Sequence, residues 1–394
     1  MAFGTLRLVE QGGYAADLLA SRSGGLDSRD AGLASEIVLG ALRHQVQLDF
    51  LIEHFSARAA ARLDPEVRIA LRMGIYQLRY LDRVPAHAAV SESVELVKRA
   101  RRRSAAGLVN AILRKVNRNP APWPDRATEL SHPAWLLERW ERHFGPETAA
   151  KIARANLAVP QTYVRVPSEP RASASGGLIL EPTGLPGCFR LLAGDPSGWR
   201  IQDIGSQSIV PLLELAPGHR FLDLCAAPGN KTAQALEHGV RAVACDCHWS
   251  RLRPMKGLGC ELVVLDGADS LPFTCRFDRI LVDAPCSGTG TLAHNPEIKW
   301  RLQPSGLLEL HQLQVRLLRN ALERLAPGGR LVYSTCSLEP EENEEVVRST
   351  GLPACVLAVH RRLPGIHPGD GFFAAVLTSN EPLNVSNCSL ASGR

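Results

Sequence analysis

From about residue 201 the chain alternates short apolar runs with helical stretches, and that alternation admits few folds. Phe221–Leu224, Ala242–Cys245, Leu262–Leu265, Ile280–Val282, Arg330–Tyr333 and Phe372–Leu377 read as strands. A helix is expected from about Lys231, and a long one from about Pro304 to Leu325. Strands and helices in alternation imply a mostly parallel sheet covered on both faces. Ligands of such sheets bind at the carboxyl ends of the strands. The residues just after each strand are therefore the candidate site.

The first strand runs into Asp223-Leu224-Cys225-Ala226-Ala227-Pro228-Gly229-Asn230-Lys231-Thr232. Small residues there let the backbone approach a ligand, and the following helix offers unpaired N–H groups. It is not a Walker loop, because Cys225 and Asn230 stand where that motif needs glycine. The second strand ends in Asp246, where an acid accepts from ribose hydroxyls. The third ends in Asp266, placed to reach an adenine. One such acid is weak evidence, since capping acids are common, but several strand ends feeding one nucleoside site are stronger. The fourth strand leads into Asp283-Ala284-Pro285-Cys286-Ser287-Gly288-Thr289-Gly290, and the fifth into Ser334-Thr335-Cys336-Ser337. A cysteine is usually a small buried hydrophobe. Here two lie in polar turns, where a thiol can serve as a nucleophile once its pKa is lowered. Spacing alone does not decide between Cys286 and Cys336.

The N-terminal part reads helical almost throughout. Ala34, Ile37, Val38, Ala41 and Leu42, then Ile69, Met73, Ile75, Tyr76 and Leu78, recur at helical spacing. Asp64-Pro65-Glu66 has the form of a helix start. The proline cluster from Asn119 to Pro124 is a natural boundary. We expect an all-α domain over 1–125, a small middle domain over 126–200, a catalytic domain over 201–380 and a disordered tail over 381–394. The middle region has a helix around Trp135–Phe144 and a loop over Ser168–Gly177, and its fold is not assignable from pattern.

Charge is distributed unevenly. The chain carries +5, and residues 1–125 hold 18 lysines and arginines against 13 acids. The excess is densest at Lys98, Arg99, Arg101, Arg102 and Arg103, followed by Arg114 and Lys115. Such a cluster neutralises phosphates, although a solvated helix face has the same composition. The ten cysteines are scattered without a disulfide framework, which fits a reducing compartment. Cys245 and Cys247 are too close for the usual zinc knuckle, so no metal is expected. No stretch is apolar enough to span a bilayer and the N-terminus lacks signal-peptide form. A cytoplasmic monomer without membrane contact is the expectation.

These motifs resemble the bacterial 16S ribosomal RNA cytosine-C5 methyltransferases of the Fmu/Sun family. The resemblance rests on DLCAAPGNKT, ACD at 244–246, LDGAD at 265–269, LVDAPCSGTG, NPEIKW at 295–300, YSTCSLEPEENEEVV and PGDGFF at 368–373. The lead-in QDIGSQS at 202–208 matches as well. GALRHQVQLDFLI at 40–52, residues 71–98 and GLVNAILRK at 107–115 are similar to the helical RNA-binding fold of NusB. The resemblance implies a Rossmann-like methyltransferase domain behind a NusB-like domain, with S-adenosyl-L-methionine as cofactor and small-subunit ribosomal RNA as partner. It implies Cys336 as nucleophile, Cys286 as the residue that assists product release, and the loop Cys225–Lys231 with Asp246, Asp266 and Asp283 as the cofactor site.

The chemistry explains the thiol. Carbon 5 of cytosine is a poor nucleophile until a thiolate adds to carbon 6. An acid near ring nitrogen 3, for which Asp283 is suitably placed, stabilises the intermediate. The implied target is position 967 by the family's convention. Another ribosomal or transfer RNA cytosine, an idle RNA-binding assembly factor and a small-molecule methyltransferase are the rivals. The NusB-like domain speaks against the first, the paired cysteines and acids against the second, the basic domain against the third. Three departures stand out: Asn230 replaces the family's common glycine, the stretch from Asp246 to Asp266 is short by about two helical turns, and the segment between the STCS motif and PGDGFF is also short.

Overall fold

The computed structural model describes residues 1–116, 118–119, 121–167, 177–351 and 354–379. The tail at 381–394 and nearly all of the loop expected at 168–177 lie outside them. The chain forms two compact units, Met1–Pro160 with Thr291–Arg301, and Gln161–Gly290 with Leu302–Arg394.

The first unit is helical. Asp27 caps the helix Ser28–Arg43 by accepting the Asp30 N–H at 2.8 Å. Pro65 opens Pro65–Tyr80, where its missing N–H costs nothing. The apolar faces of these helices close on Val38, Leu48, Ile52, Leu71 and Ile75, all essentially without exposure. The helices Arg126–Glu129, Ala134–Phe144 and Pro146–Leu157 belong to the same unit.

Thr291–Arg301, which carries the NPEIKW motif, is part of this helical unit. Buried Lys299 donates to the carbonyls of Arg43 and Ser131 at 2.8 and 2.7 Å. Trp300 donates to Leu42 O at 2.8 Å, and Arg301 reaches Val9 O at 2.6 Å. Burial, with Arg43 adding to it, pushes the Lys299 ammonium well below its usual range.

Burial also pulls neighbouring His44 down to about 4 and His132 well below the usual histidine value. Both rings are therefore neutral in the folded state at pH 7. Unfolding releases them to titrate near 6.5, so the unfolded chain binds more protons between pH 6.5 and about 4. Stability is complete above that window and falls as pH drops through it. His44 alone should account for about 2–3 kcal/mol between pH 7 and 4.5. The urea midpoint for peptides from 28–56, read by hydrogen–deuterium exchange, should fall accordingly, and less so in His44→Gln. A midpoint independent of pH contradicts this reading.

The second unit holds two sheets. Four short antiparallel strands, β1 (Tyr163–Arg165), β2 (Ile179–Pro182), β3 (Cys188–Ala193) and β4 (Arg200–Ile201), pair in the order β2-β3-β1-β4. The large sheet contains β5 (Arg220–Asp223), β6 (Arg241–Asp246), β7 (Glu261–Val264), β8 (Phe277–Asp283), β9 (Leu325–Thr335), β10 (Ala354–Arg362) and β11 (Phe372–Ser379). Its order is β10-β11-β9-β8-β5-β6-β7. Strands β5 to β9 run parallel, and β10 and β11 are antiparallel additions at one edge. Alternate residues bury on opposite faces, as a covered sheet requires. Leu222, Ile280, Val282, Leu331 and Tyr333 pack with the long helix Pro304–Glu323. Phe221, Leu281, Val332, Phe372 and Ala374 pack with Ile209 and Val210 on the other face. The strand order reverses between β5 and β8, which opens a crevice at their carboxyl ends.

Candidate active site

The turn after β5 is pinned to both neighbouring strands. Leu224 N–H donates to Leu281 O at 3.0 Å, and Ala226 N–H to Cys245 O at 2.8 Å. Gly229 closes the turn at φ +102°, in the left-handed region, and a Cβ there would meet Met255 Cγ at 2.8 Å. The helix Asn230–Leu236 follows. Asn230 Oδ1 accepts from Arg200 at 2.9 Å, so this departure from glycine is held by the end of β4. Beneath the turn, Asp223 Oδ2 accepts from Thr232 Oγ1 at 2.7 Å. Its buried Oδ1 has no partner among the described residues. Burial lifts this carboxyl to about 7 despite that hydrogen bond.

Asp246 ends β6 almost fully buried. It accepts from His248 N–H at 3.0 Å and pairs with Arg251 at 3.1 Å. The stretch that looked short is a single four-residue helix, Trp249–Leu252, followed by a 3₁₀ turn at Arg253–Met255. Asp266 is exposed and accepts from Ala268 N–H at 2.9 Å. Asp283 ends β8 between Lys231 Nζ and Ser334 Oγ, each at 2.7 Å. Burial disfavours the Lys231 charge, yet the Asp283 carboxylate outweighs it and leaves the ammonium above its usual range.

The two cysteine turns meet. Cys286 Sγ and Cys336 Sγ lie 3.4 Å apart. The hydrogen bond to Cys336, then burial, then the charges of Cys336 and Glu342 push the Cys286 thiol well above its usual range. Cys286 is thereby held as a thiol facing its neighbour. Fully buried Glu342 fastens both turns. It accepts from Ser287 N–H at 2.8 Å, Gln314 Nε2 at 3.0 Å, Ser337 Oγ at 2.5 Å and Ser287 Oγ. Composition gave no reason to select Glu342 from a run of acids. Its place five residues after Ser337, next to Asn343, is the only sequence signal.

The basic cluster is divided. Lys98 and Arg99 share Glu95 at 3.5 and 3.7 Å. Arg102 is held by Glu66 and Asp64 at 3.3 and 3.6 Å. Arg114 donates to Asn110 at 3.1 Å and Lys115 to Phe55 O at 3.4 Å. Arg101 and Arg103 are exposed and have no carboxylate partner among the described residues.

Residues 210–353 match the family described as 16S rRNA methyltransferase RsmB/F, and residues 1–118 match the NusB family. The ribosomal RNA small subunit methyltransferase B of Klebsiella pneumoniae is 34% identical, over 94% of this chain and 95% of its own length. The chain belongs to the RsmB/F methyltransferase family. The enzymes of that name from Shigella flexneri and Escherichia coli O127:H6 are also 34% identical, over 94% of this chain and 96% of theirs. The crystal structure of PH0851 shares the fold over 96% of this chain and 97% of its own, with TM-score 0.80 and 22% identity. A methyltransferase homologue from Pyrococcus horikoshii superposes on 66% of this chain and all of its own, at TM-score 0.57 and 27% identity.

This RsmB/F chain uses S-adenosylmethionine, and its strand ends fit that molecule. The bare Asp223 Oδ1 and the Asp246 carboxylate are acceptors suited to ammonium and hydroxyl groups. Among the described residues, no cluster of three potential ligands could hold a metal ion and no helix is long and apolar enough to cross a membrane.

Proposed function

We propose that this chain methylates carbon 5 of a cytosine in small-subunit ribosomal RNA through a covalent adduct on Cys336. The contact of two thiols at adjacent strand ends, beside the Lys231–Asp283 pair, carries the reading. Methyl transfer to an oxygen or an exocyclic amine has no use for a thiol pair. S-adenosylmethionine, held by the turn Cys225–Lys231 with Asp246 and Asp266, supplies an electrophilic methyl group.

Cys336 adds as thiolate to carbon 6 of the cytosine. Cys286, retained as a thiol, donates toward it and keeps the two roles apart. Asp283, the carboxylate paired with Lys231, faces the ring at nitrogen 3 and takes up a proton from solvent as the cytosine docks, which neutralises the charge developing there. Lys231, cationic beside it, favours both the thiolate and the enamine-like ring. Once carbon 5 is methylated, a base removes its proton and Cys336 leaves. Glu342 keeps the two turns in register throughout.

Label from methyl-tritiated S-adenosylmethionine should appear in 5-methylcytidine when small-subunit RNA is the substrate. Label confined to another nucleoside would overturn the proposal. Action on ribosomal RNA also implies a cytoplasmic enzyme.

The helical unit supplies RNA affinity in this account. Arg101 and Arg103, free of carboxylates, contribute more than Arg102. Each alanine replacement at 101 or 103 should reduce the slope of log affinity against log salt by roughly 0.7–0.9. Arg102→Ala should change it by less, and S-adenosylmethionine affinity should not move. RNA titrations at four salt concentrations measure this, and equal slopes for all variants would return the cluster to a solvated surface.

A further inference from the structure

A cavity of about 220 Å³ lies on the Cys336 side of the large sheet, bounded by Ser208, Ile209, His360, Arg362, His367 and Phe372. The strand register relates it to the reacting thiol. Thr335 pairs with Phe373 at the end of that ladder, and Cys336 O beyond it accepts from Gly290 N–H at 2.9 Å, whose own carbonyl accepts from Gly371 N–H at 2.8 Å. Phe372 pairs in turn with Arg362. Phe372 and Arg362, directly opposite each other on β11 and β10, therefore share a face. Cys336 and Phe372 both pack on the Ile209–Val210 side. With strands about 4.8 Å apart, Arg362 stands roughly 10 Å along the sheet from the nucleophile's strand.

The lining has the chemistry of a nucleotide site. Arg362 spends one NH2 donor on Pro368 O at 2.8 Å, while its buried Nε–H has no acceptor among the described residues. His367 Nδ1 accepts from Leu363 N–H at 3.0 Å, which leaves the ring proton of the neutral form on Nε2 as a donor. His360 lines the same space. Arg361, though it borders the cavity, is paired with Glu344. Half-buried Leu212 lines the other side, with Ile209 and Phe372 almost fully buried beneath it. Lys231 Nζ sits 5.3 Å from the Phe372 ring centroid, so that ring separates the cavity from the Lys231–Asp283 pair.

We infer that this cavity binds the phosphate of the RNA nucleotide next to the target cytosine, through Arg362 and the histidines. The inference rests on the RNA reading above. It makes the β10–β11 edge a determinant of which cytosine is presented to Cys336.

Fluorescence anisotropy with a short RNA carrying the target cytosine tests it directly. Arg362→Gln should weaken RNA binding about 10-fold and His360→Ala about 3-fold, with S-adenosylmethionine affinity unchanged in both. The His360 side chain makes no hydrogen bond to the described residues, so its variant guards against a folding defect at Arg362. A neutral methylphosphonate linkage beside the target should weaken binding to the wild type and have little further effect on Arg362→Gln. Equal weakening of wild type and variant, or RNA affinity unchanged by both substitutions, overturns the inference. Failure of the wild type to form 5-methylcytidine would overturn the proposed reaction instead, and the binding comparison would still report on the cavity.

Discussion

Replacing Cys336 by alanine is expected to lower methylation by at least ~10⁴-fold, the scale on which loss of a nucleophile is felt, while cofactor affinity stays within about twofold. Cys336 lies at the end of β9, opposite Asp283 through the Asp283–Ser334 pairing and in contact with Cys286. None of the carboxylates proposed for the cofactor depends on it for a hydrogen bond: Asp223 is held by Thr232, Asp246 by His248 and Arg251. Its removal therefore deletes the adduct and leaves the methyl donor's site intact. Single-turnover rates and equilibrium titration of S-adenosylmethionine separate the two effects. Wild-type turnover in Cys336→Ala would transfer the nucleophile's role to Cys286.

Cys286→Ala is expected to do the reverse and accumulate a covalent protein–RNA complex. Cys286 is a thiol 3.4 Å from Cys336, kept protonated by that contact, by burial and by Glu342. It is the group placed to assist departure of Cys336 from carbon 6. Without it, addition proceeds and release is slowed. Denaturing gels with labelled RNA should show a shifted band in Cys286→Ala and none in the double variant Cys286→Ala/Cys336→Ala. The absence of a band in the single variant would remove the release role.

The strand ends were legible because parallel strands buried on both faces are written as unbroken apolar runs, such as Phe221-Leu222 and Ile280-Leu281-Val282. The acid or cysteine that ends each run then stands out. Strand β10 escaped for the opposite reason. It is an edge strand on which Leu357 and Val359 are exposed, so its apolar residues mark no core. Strands β1 and β4 have three and two residues, too few for a period, and exist through pairing with each other and with β3.

Glu342 was hidden because Glu339, Glu341, Glu342, Glu344 and Glu345 read together as a solvated acidic run. Only the long-range contacts to Ser287 and Gln314 show that one of them is the buried fastening of both cysteine turns. Lys299 is a similar case. Its motif was visible, but its acceptors, Arg43 O and Ser131 O, are far away in sequence. The basic run at 98–103 was legible as charge. Its division into paired and unpaired side chains depends on Asp64 and Glu66, which no local pattern connects to it.

Mass spectrometry of the complex trapped by Cys286→Ala tests the central claim most directly. After digestion with trypsin and nuclease, a cytidine-derived adduct carrying the transferred methyl group is expected on the peptide that contains Cys336. An adduct on any other residue, or a shifted band whose Cys336 peptide is unmodified, would contradict it.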